Sequence, residues 1–301
     1  MPGWDDILSE IRSDSHPNKL DIVRRKYMRQ LTELTGRNTI AYYSGWLKQQ
    51  NVSNTDINDS DMTGFMNAVR GLDCSKGLDL ILHTPGGSPV AAESIVKYLR
   101  CKFDKDIRVI VPHLAMSAGT MIACSASTIV MGKESSLGPI DPQFGGIPAY
   151  NIKQEFIEAK EDLAKHPENF SYWKMLLGKY PAAFVKQAID AIDLSDELLK
   201  EWLGSCMFDA IKDAETIQNI VQHLNEHESS KAHGRHFDVS FCKQIGLNVI
   251  ELEKDNKFQD AVLSVHHVYS HTINMTPVIK IIENQVGKAY ISLHGPRPAP
   301  K

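Results

Sequence analysis

The amino-acid sequence predicts an α/β fold, a parallel sheet with crossover helices that also carries a helical insertion and terminal additions. Three observations predict it. Short apolar runs, LDLILHT, IRVIVPHL and TIVMG, read as strands buried on both faces, and they alternate with SPVAAESIVKYLRCKF and MSAGTMIACSAS, which read as helices. The connecting turns are rich in glycine, proline and serine. Finally, the stretch 154–224 carries helical patterning with no strand inside it.

Residues 4–36 read as a helix, because Ile7, Ile11, Ile22, Met28, Leu31 and Leu34 recur among charges and Gly36 offers a stop. NTIAYYSGWL, rich in β-branched and aromatic residues, reads as a strand. NTDINDSDM supplies capping side chains for a helix that begins near Thr55 to Asp59 and runs through FMNAV. The strand and helix alternation named above follows, and SSLGPIDPQFGGIPA reads as a loop. The helical stretch contains QEFIEAKEDLAKH, FSYWKMLLGKY, AAFVKQAIDAI and DELLKEWLG. ESSKAHGRHFDVSFCKQIGLNVIEL returns to loop, short helix and strand, and KFQDAVLSVHHVYSHTI with GKAYISL closes the chain as helix and strand. With no internal repeat and no low-complexity linker, residues 1–301 read as a single domain. Its parts are an N-terminal helical region (1–36), an α/β core (37–150), a helical insertion or oligomerisation region (151–225), and the end of the core with a C-terminal helix and strand (226–301).

Composition narrows the function. The 301 residues are 42% hydrophobic and 23% charged, the profile of a globular protein, and the net charge of −4 comes without a basic block. Nucleic acid and anionic membrane surfaces are therefore not the expected partners. No apolar run approaches the roughly 20 residues of a membrane span, and MPGWDDILSEIRSD is too acidic for a signal peptide, so a cytoplasmic address is expected. Five cysteines without a paired spacing read as reduced, partly buried thiols. No GxGxxG follows a strand and no GxxxxGK[ST] occurs, so no cofactor is expected and any ATP dependence would come from a partner.

Three motifs carry chemistry, each where a strand has just ended. In HTPGGS (83–88) paired glycines allow close backbone approach and leave N–H groups for an anion, although a tight structural turn has the same composition. In MSAGT (116–120) Ser117 sits at a strand-to-helix junction, where its hydroxyl and the N–H of Ala118 can face one point, or where Ser117 can simply cap the helix. In GPIDPQFGG (138–146) Asp141 is held between Pro139 and Pro142, stiff enough to orient a partner. HHVYSH places His267 and His271 four apart on one helix face, a metal pair in principle, but without the carboxylate of HExxH surface or interface histidines are expected and no metal is assigned.

HTPGG, SAGT and LGPIDPQ together resemble the Clp-fold serine peptidases of the ClpP/crotonase-like superfamily, and most closely the serine dehydrogenase proteinase family. RRKYMRQLTELTGRNTIAYYSGWL and VIKIIENQVGKAYI share the likeness, which covers most of the chain. The resemblance implies a serine endopeptidase acting through an acyl-enzyme on a peptide or protein. IDPQFGG stands where the Clp proteolytic subunit has its histidine, and HGRHFDVSFCKQIGL where that subunit has its aspartate. The implied triad is thus Ser117, Asp141 and His236, in swapped chain order, which a triad tolerates because geometry defines it. Gly86 or Gly87 and Ala118 would supply the oxyanion donors, and His233 is the rival base. A Ser-Lys dyad like that of signal-peptide peptidase A, using Lys160 or Lys174, is an alternative. Others are a crotonase-like acyl-CoA enzyme and a non-catalytic oligomeric scaffold. The resemblance also implies a homo-oligomer, with contacts in the helical insertion, and leaves an unfoldase partner open.

Overall fold

The computed structural model describes residues 3–48, 52–225 and 234–295. The N-terminal region is two helices, α1 (Trp4–Ser13) and α2 (Lys19–Thr35), where the sequence suggests one. Pro17 lies in the break, which resets the helical phase. Ile7, Ile11, Met28 and Leu31 are consequently buried, while Ile22 and Leu34 point outward. Gly36 ends α2 in the left-handed conformation, as expected of a glycine stop.

The core then runs β1 (Asn38–Ser44), α3 (Asp61–Val69), β2 (Leu78–His83), α4 (Pro89–Phe103), β3 (Ile107–Val111), β4 (Leu114–Ala115), α5 (Ala118–Cys124) and β5 (Thr128–Met131). Ser88 starts α4 by accepting from the N–H of Ala91 at 3.2 Å, with Pro89 next in the first turn. Short β6 (Ser136–Leu137), β7 (Gln143–Phe144) and β8 (Ile147–Pro148) lead to the helices α6 (Ala149–Lys165), α7 (Phe170–Leu177), α8 (Phe184–Trp202) and α9 (Ala214–Asn225). The two segments AAFVKQAIDAI and DELLKEWLG form the single helix α8. The chain ends with α10 (Val239–Gln244), β9 (Val249–Glu251), α11 (Asn256–Met275), β10 (Val278–Asn284) and β11 (Ala289–Leu293).

The main sheet has the order β11-β10-β1-β2-β3-β5-β9. From β1 to β9 all neighbours are parallel, and β10 is antiparallel to both β1 and β11. Alternation along the strands builds two cores. Ile40, Tyr42, Leu80, Leu82, Val109 and Val111 pack with α3, α4 and α5 on one face. Ala41, Tyr43, Ile81 and Ile110 pack with α1, α2 and α11 on the other. Each large apolar side chain taken out of water this way contributes about 1.5–3 kcal/mol.

Strand β10 was not assigned from the sequence, and its polar residues explain why. All seven of its residues are buried, including Lys280, Glu283 and Asn284. Lys280 Nζ donates to Asp61 Oδ1 at 2.8 Å. Glu283 accepts from Tyr269 Oη at 3.0 Å, from Arg25 Nε at 2.9 Å and from Arg24 Nε. These pairs tie the strand to α2, α3 and α11, so charge marks its interior.

Removing one partner from a buried pair leaves the other charge stranded. Glu283→Ala is expected to lower the unfolding free energy by about 3–5 kcal/mol in urea titrations. Lys97→Ala, which breaks an exposed pair with Glu93 on α4, is expected to cost less than about 1 kcal/mol. Equal costs for the two would overturn this account of β10.

Candidate active site

Thr84, just past β2, joins the first two motifs. Its N–H donates to the carbonyl of Leu114 and its carbonyl accepts from the N–H of Met116, both at 3.0 Å. A Cβ on Gly119 would lie 2.4 Å from Thr84 Cγ2, so the start of α5 rests directly on this residue. The turns after β2 and β3 are thereby locked together at the carboxyl edge of the sheet, the usual place for a site in a parallel α/β fold.

Ser117 occupies the tip of the second turn with φ 52° and ψ −118°, a left-handed conformation that is costly for a residue with a Cβ. It precedes the first residue of α5, yet its side chain makes no capping hydrogen bond. The capping explanation for this serine is therefore not what the fold uses. A strained strand-to-helix turn that thrusts a hydroxyl into the open is the geometry of a nucleophile elbow.

Glycine is required opposite it. A Cβ on Gly86, at φ +94°, would lie 2.5 Å from the carbonyl oxygen of Met116, 2.7 Å from Ser117 Cβ and 3.0 Å from the nitrogen of Ala118. The loop before α3 clamps this glycine pair from outside: Ile57 N–H donates to Gly86 O at 2.7 Å and Ser88 N–H to Ile57 O at 2.9 Å. The N–H of Gly86 donates to Thr84 Oγ1 at 3.2 Å. Among the described residues, the N–H groups of Gly87 and Ala118 make no hydrogen bond, which leaves two backbone donors beside Ser117.

Ser117, Gly86 and Gly87 open onto a cavity of about 500 Å3. Its walls are mainly apolar: Val90, Met121, Ile140 and Phe144, with Leu194 and Ala191 contributed by α8. Asp141 lies behind this wall, 1% exposed, between the lining residues Ile140 and Pro142. Gln143 Nε2 donates to its carboxylate at 2.7 Å. The loop is pinned at both ends, by Ile140 N–H on the carbonyl of Leu224 at 2.9 Å and by Ala149 N–H on that of Pro142 at 2.8 Å.

His236 is exposed and does not line the cavity. The next residue, Phe237, exchanges hydrogen bonds of 2.9 and 3.0 Å with Leu137. Leu137 in turn pairs with Ala115, and Ala115 with Thr84, so paired backbone connects the segment that carries the histidine to the turn that carries the serine. Among the described residues no hydrogen bond joins His236 to Ser117 or Asp141. It does approach His113, whose pKa is held below the ordinary value by burial and by His236. His233 lies outside the described residues. Lys160 on α6 and Lys174 on α7 are exposed and line no part of the cavity.

A group of histidines that the sequence motifs carry separately surrounds the back of the same turn. His83, His113 and His266 have ring centroids 5.4, 5.6 and 5.8 Å apart, pairwise. Burial and the other two imidazoles push His83 well below the usual range, and burial lowers His266 to about 3. The available signal was that His83 and His113 both stand at carboxyl ends of adjacent strands. HHVYSH is not a surface feature either: His271 is buried, with Nε2 3.0 Å from the carbonyl of Trp4, and His267 meets the Trp4 ring edge-on. Among the described residues no three His, Cys, Asp or Glu side chains are placed to hold a metal ion, and no helix is long and apolar enough to cross a membrane. All five cysteines are free thiols.

Comparison with known proteins places these features in context. A family model described as a ClpP-like SDH-type serine proteinase matches residues 16–288. Two uncharacterized proteins of Methanocaldococcus jannaschii are similar. MJ0137 is 30% identical over 227 residues, covering 75% of this chain and 70% of that protein, and MJ1495 is 28% identical over 196 residues, covering 64% and 59%. Among solved structures, a point mutant of ClpP1 from Listeria monocytogenes aligns with a TM-score of 0.36 and 16% identity, over 77% of this chain and 99% of that one.

The contact between Gly86 and Ser117 is testable without any substrate. Gly86→Ala forces a Cβ against the Met116 carbonyl at a positive φ, and is expected to cost about 2–4 kcal/mol of stability in urea unfolding. Gly145→Ala, at a positive φ but with open space around it, is expected to cost about 1 kcal/mol. A neutral Gly86→Ala would show that the two turns do not touch as described.

Proposed function

The chain belongs to the ClpP-like SDH-type serine proteinase family, and we propose that it hydrolyses peptide bonds in a peptide or protein through an acyl-enzyme on Ser117. The observation that carries this reading is the left-handed turn at Ser117, with the N–H groups of Ala118 and Gly87 beside it and the apolar cavity in front. Attack by the Ser117 oxygen on the scissile carbonyl puts negative charge on the carbonyl oxygen, and those two donors stabilise it. Gly86 allows the approach and Gly87 gives the N–H, which distributes between the glycines the part that the sequence left to either.

Serine needs a base to take its proton and return it to the leaving amine. We assign His236, carried next to Phe237 on the paired backbone that leads to the serine turn, with Asp141 as the carboxylate that orients it; His233 is the competing base. The buried, pinned loop supports Asp141 in that role. Nothing in the surroundings of Lys160 or Lys174 favours a Ser-Lys dyad. The apolar walls formed by Val90, Met121, Ile140, Phe144 and Leu194 fit a bulky apolar side chain beside the scissile bond. For the homo-oligomer, Phe170, Tyr172 and Met175 on α7 are exposed apolar side chains that contacts through the insertion would cover.

Ser117→Ala is expected to abolish labelling by a fluorophosphonate and to lower peptide hydrolysis at least about 10,000-fold. Absence of labelling in the wild type, together with binding of coenzyme A, would overturn the peptidase reading in favour of a crotonase-like one. His236→Ala is expected to lower kcat at least about 1,000-fold, with His233→Ala within tenfold, and the opposite order would move the base to His233. Leu194→Trp, which fills the cavity from α8, is expected to lower kcat/KM for peptides with leucine or phenylalanine before the scissile bond by roughly 10–200-fold and to spare alanine. A uniform effect would show that the side chain binds elsewhere.

A further inference from the structure

His83, His113 and His266 form a closed group behind the oxyanion turn, on the face of the sheet opposite the cavity. Their rings border a smaller cavity of about 230 Å3, lined also by Trp4, Tyr43, Lys48 and Ser270. Among the described residues, the titratable groups that touch these rings or line this cavity are neutral or basic. Tyr43 on β1 bonds His266 Nδ1 at 2.9 Å. Lys48, after β1, holds its ammonium against the carbonyls of Ile273, Asn274 and Thr276. His236 approaches His113 from the segment before α10, and on α11 His267 adjoins His266. Among the described residues no carboxylate lines the cavity. The group offers no site for a metal ion as arranged, and its chemistry is that of protons.

One long hydrogen bond favours the neutral ring. Leu114 N–H donates to His83 Nδ1 at 3.4 Å, which requires that nitrogen to be unprotonated. A proton there would set two donors face to face. Leu114 is also the residue whose carbonyl accepts from Thr84 N–H, and Thr84 holds both the Gly86 N–H and the Met116 N–H. The tautomer of His83 is thus wired by backbone hydrogen bonds to the turn that carries Ser117.

We propose that the His83, His113 and His266 group is a proton-operated latch, which keeps the oxyanion and nucleophile turns closed while neutral and releases them on acidification. Unfolded imidazoles titrate near 6.5, and here burial and mutual repulsion place the folded values lower, His266 at about 3. The latched state therefore binds fewer protons than the released one between those limits. Its stability is fully present above about pH 6.5 and is lost as the pH falls through that window. Because the released state exposes the three rings together, one opening takes up more than one proton, and release is cooperative in protons. The consequence for hydrolysis rests on the reading of Ser117 as nucleophile, while the release itself does not.

Trp46 reports it directly, with its ring 4.4 Å from that of His83, because a protonated imidazole quenches indole fluorescence. Titrating the full chain from pH 8 to 4.5 is expected to show a fluorescence transition narrower than the roughly two pH units that one proton spans from 10% to 90%, absent in Trp46→Phe, with far-ultraviolet circular dichroism unchanged. His266→Gln is expected to broaden it. Fluorophosphonate labelling of Ser117 is expected to follow the same transition, falling roughly 100-fold per pH unit against tenfold for one proton. A fluorescence transition without labelling at any pH would sink the nucleophile and leave the latch standing. No transition in the wild type, or one that coincides with loss of circular dichroism, would overturn the latch. Should His266→Gln fail to fold, imidazole proton NMR of the wild type decides the point, and three histidines that titrate independently near 6.5 would also overturn it.

Discussion

The contact of Gly86 with Ser117 and the nitrogen of Ala118 is the constraint around which the rest of the molecule is arranged. Two turns from neighbouring parallel strands must meet at backbone distance, which is possible only if one carries no Cβ and the other accepts a left-handed φ. Glycine takes its positive φ without steric cost, whereas that of Ser117 is strained. The Thr84 hydrogen bonds, the Ile57 clamp and the packing of Gly119 on the Thr84 methyl hold both, and the parallel sheet behind them fixes how far apart the strand ends stand.

The two faces of the sheet divide the labour at this edge. Side chains that point toward α4, α5 and α8 make the cavity, while those that point toward α1 and α11 make the histidine group. A single strand end supplies both, since His83 faces one way and Thr84 the other, as period-two alternation demands. A chemical event on one side of the sheet is thereby one residue from the other.

How much of this the sequence revealed depended on whether a residue's role could be expressed in local pattern. The apolar runs of β2, β3 and β5 and the glycine and proline turns between them are local signals, and they located Ser117, Gly86, Gly87 and Asp141 at the strand edge. Strand β10 escaped because Lys280 and Glu283 are buried against partners far away in the chain, Asp61 and Arg24, so that burial and hydropathy disagree. Pro17 marks the break between α1 and α2, but apolar residues recur at helical spacing on either side of it, so the pattern alone reads as one helix. Histidines 83, 113 and 266 gain meaning only when three elements converge, and the α8 wall of the cavity likewise depends on how the insertion folds back.

Lys280 carries a consequence for the order in which the molecule can become complete. Besides the Asp61 carboxylate, its ammonium holds the carbonyl of Asp56, which lines the cavity next to Ile57, the clamp on the glycine pair. Synthesis runs from the N-terminus, so Ser117, Asp141 and His236 all leave the ribosome before Lys280 does. A nascent chain that already carries all three residues of the proposed triad still lacks the cation that anchors the loop across from Ser117. Strand β10 thus completes the frame of the cavity from far along the sequence, and a chain that breaks off short of it holds the proposed triad without the cation that braces the loop beside it.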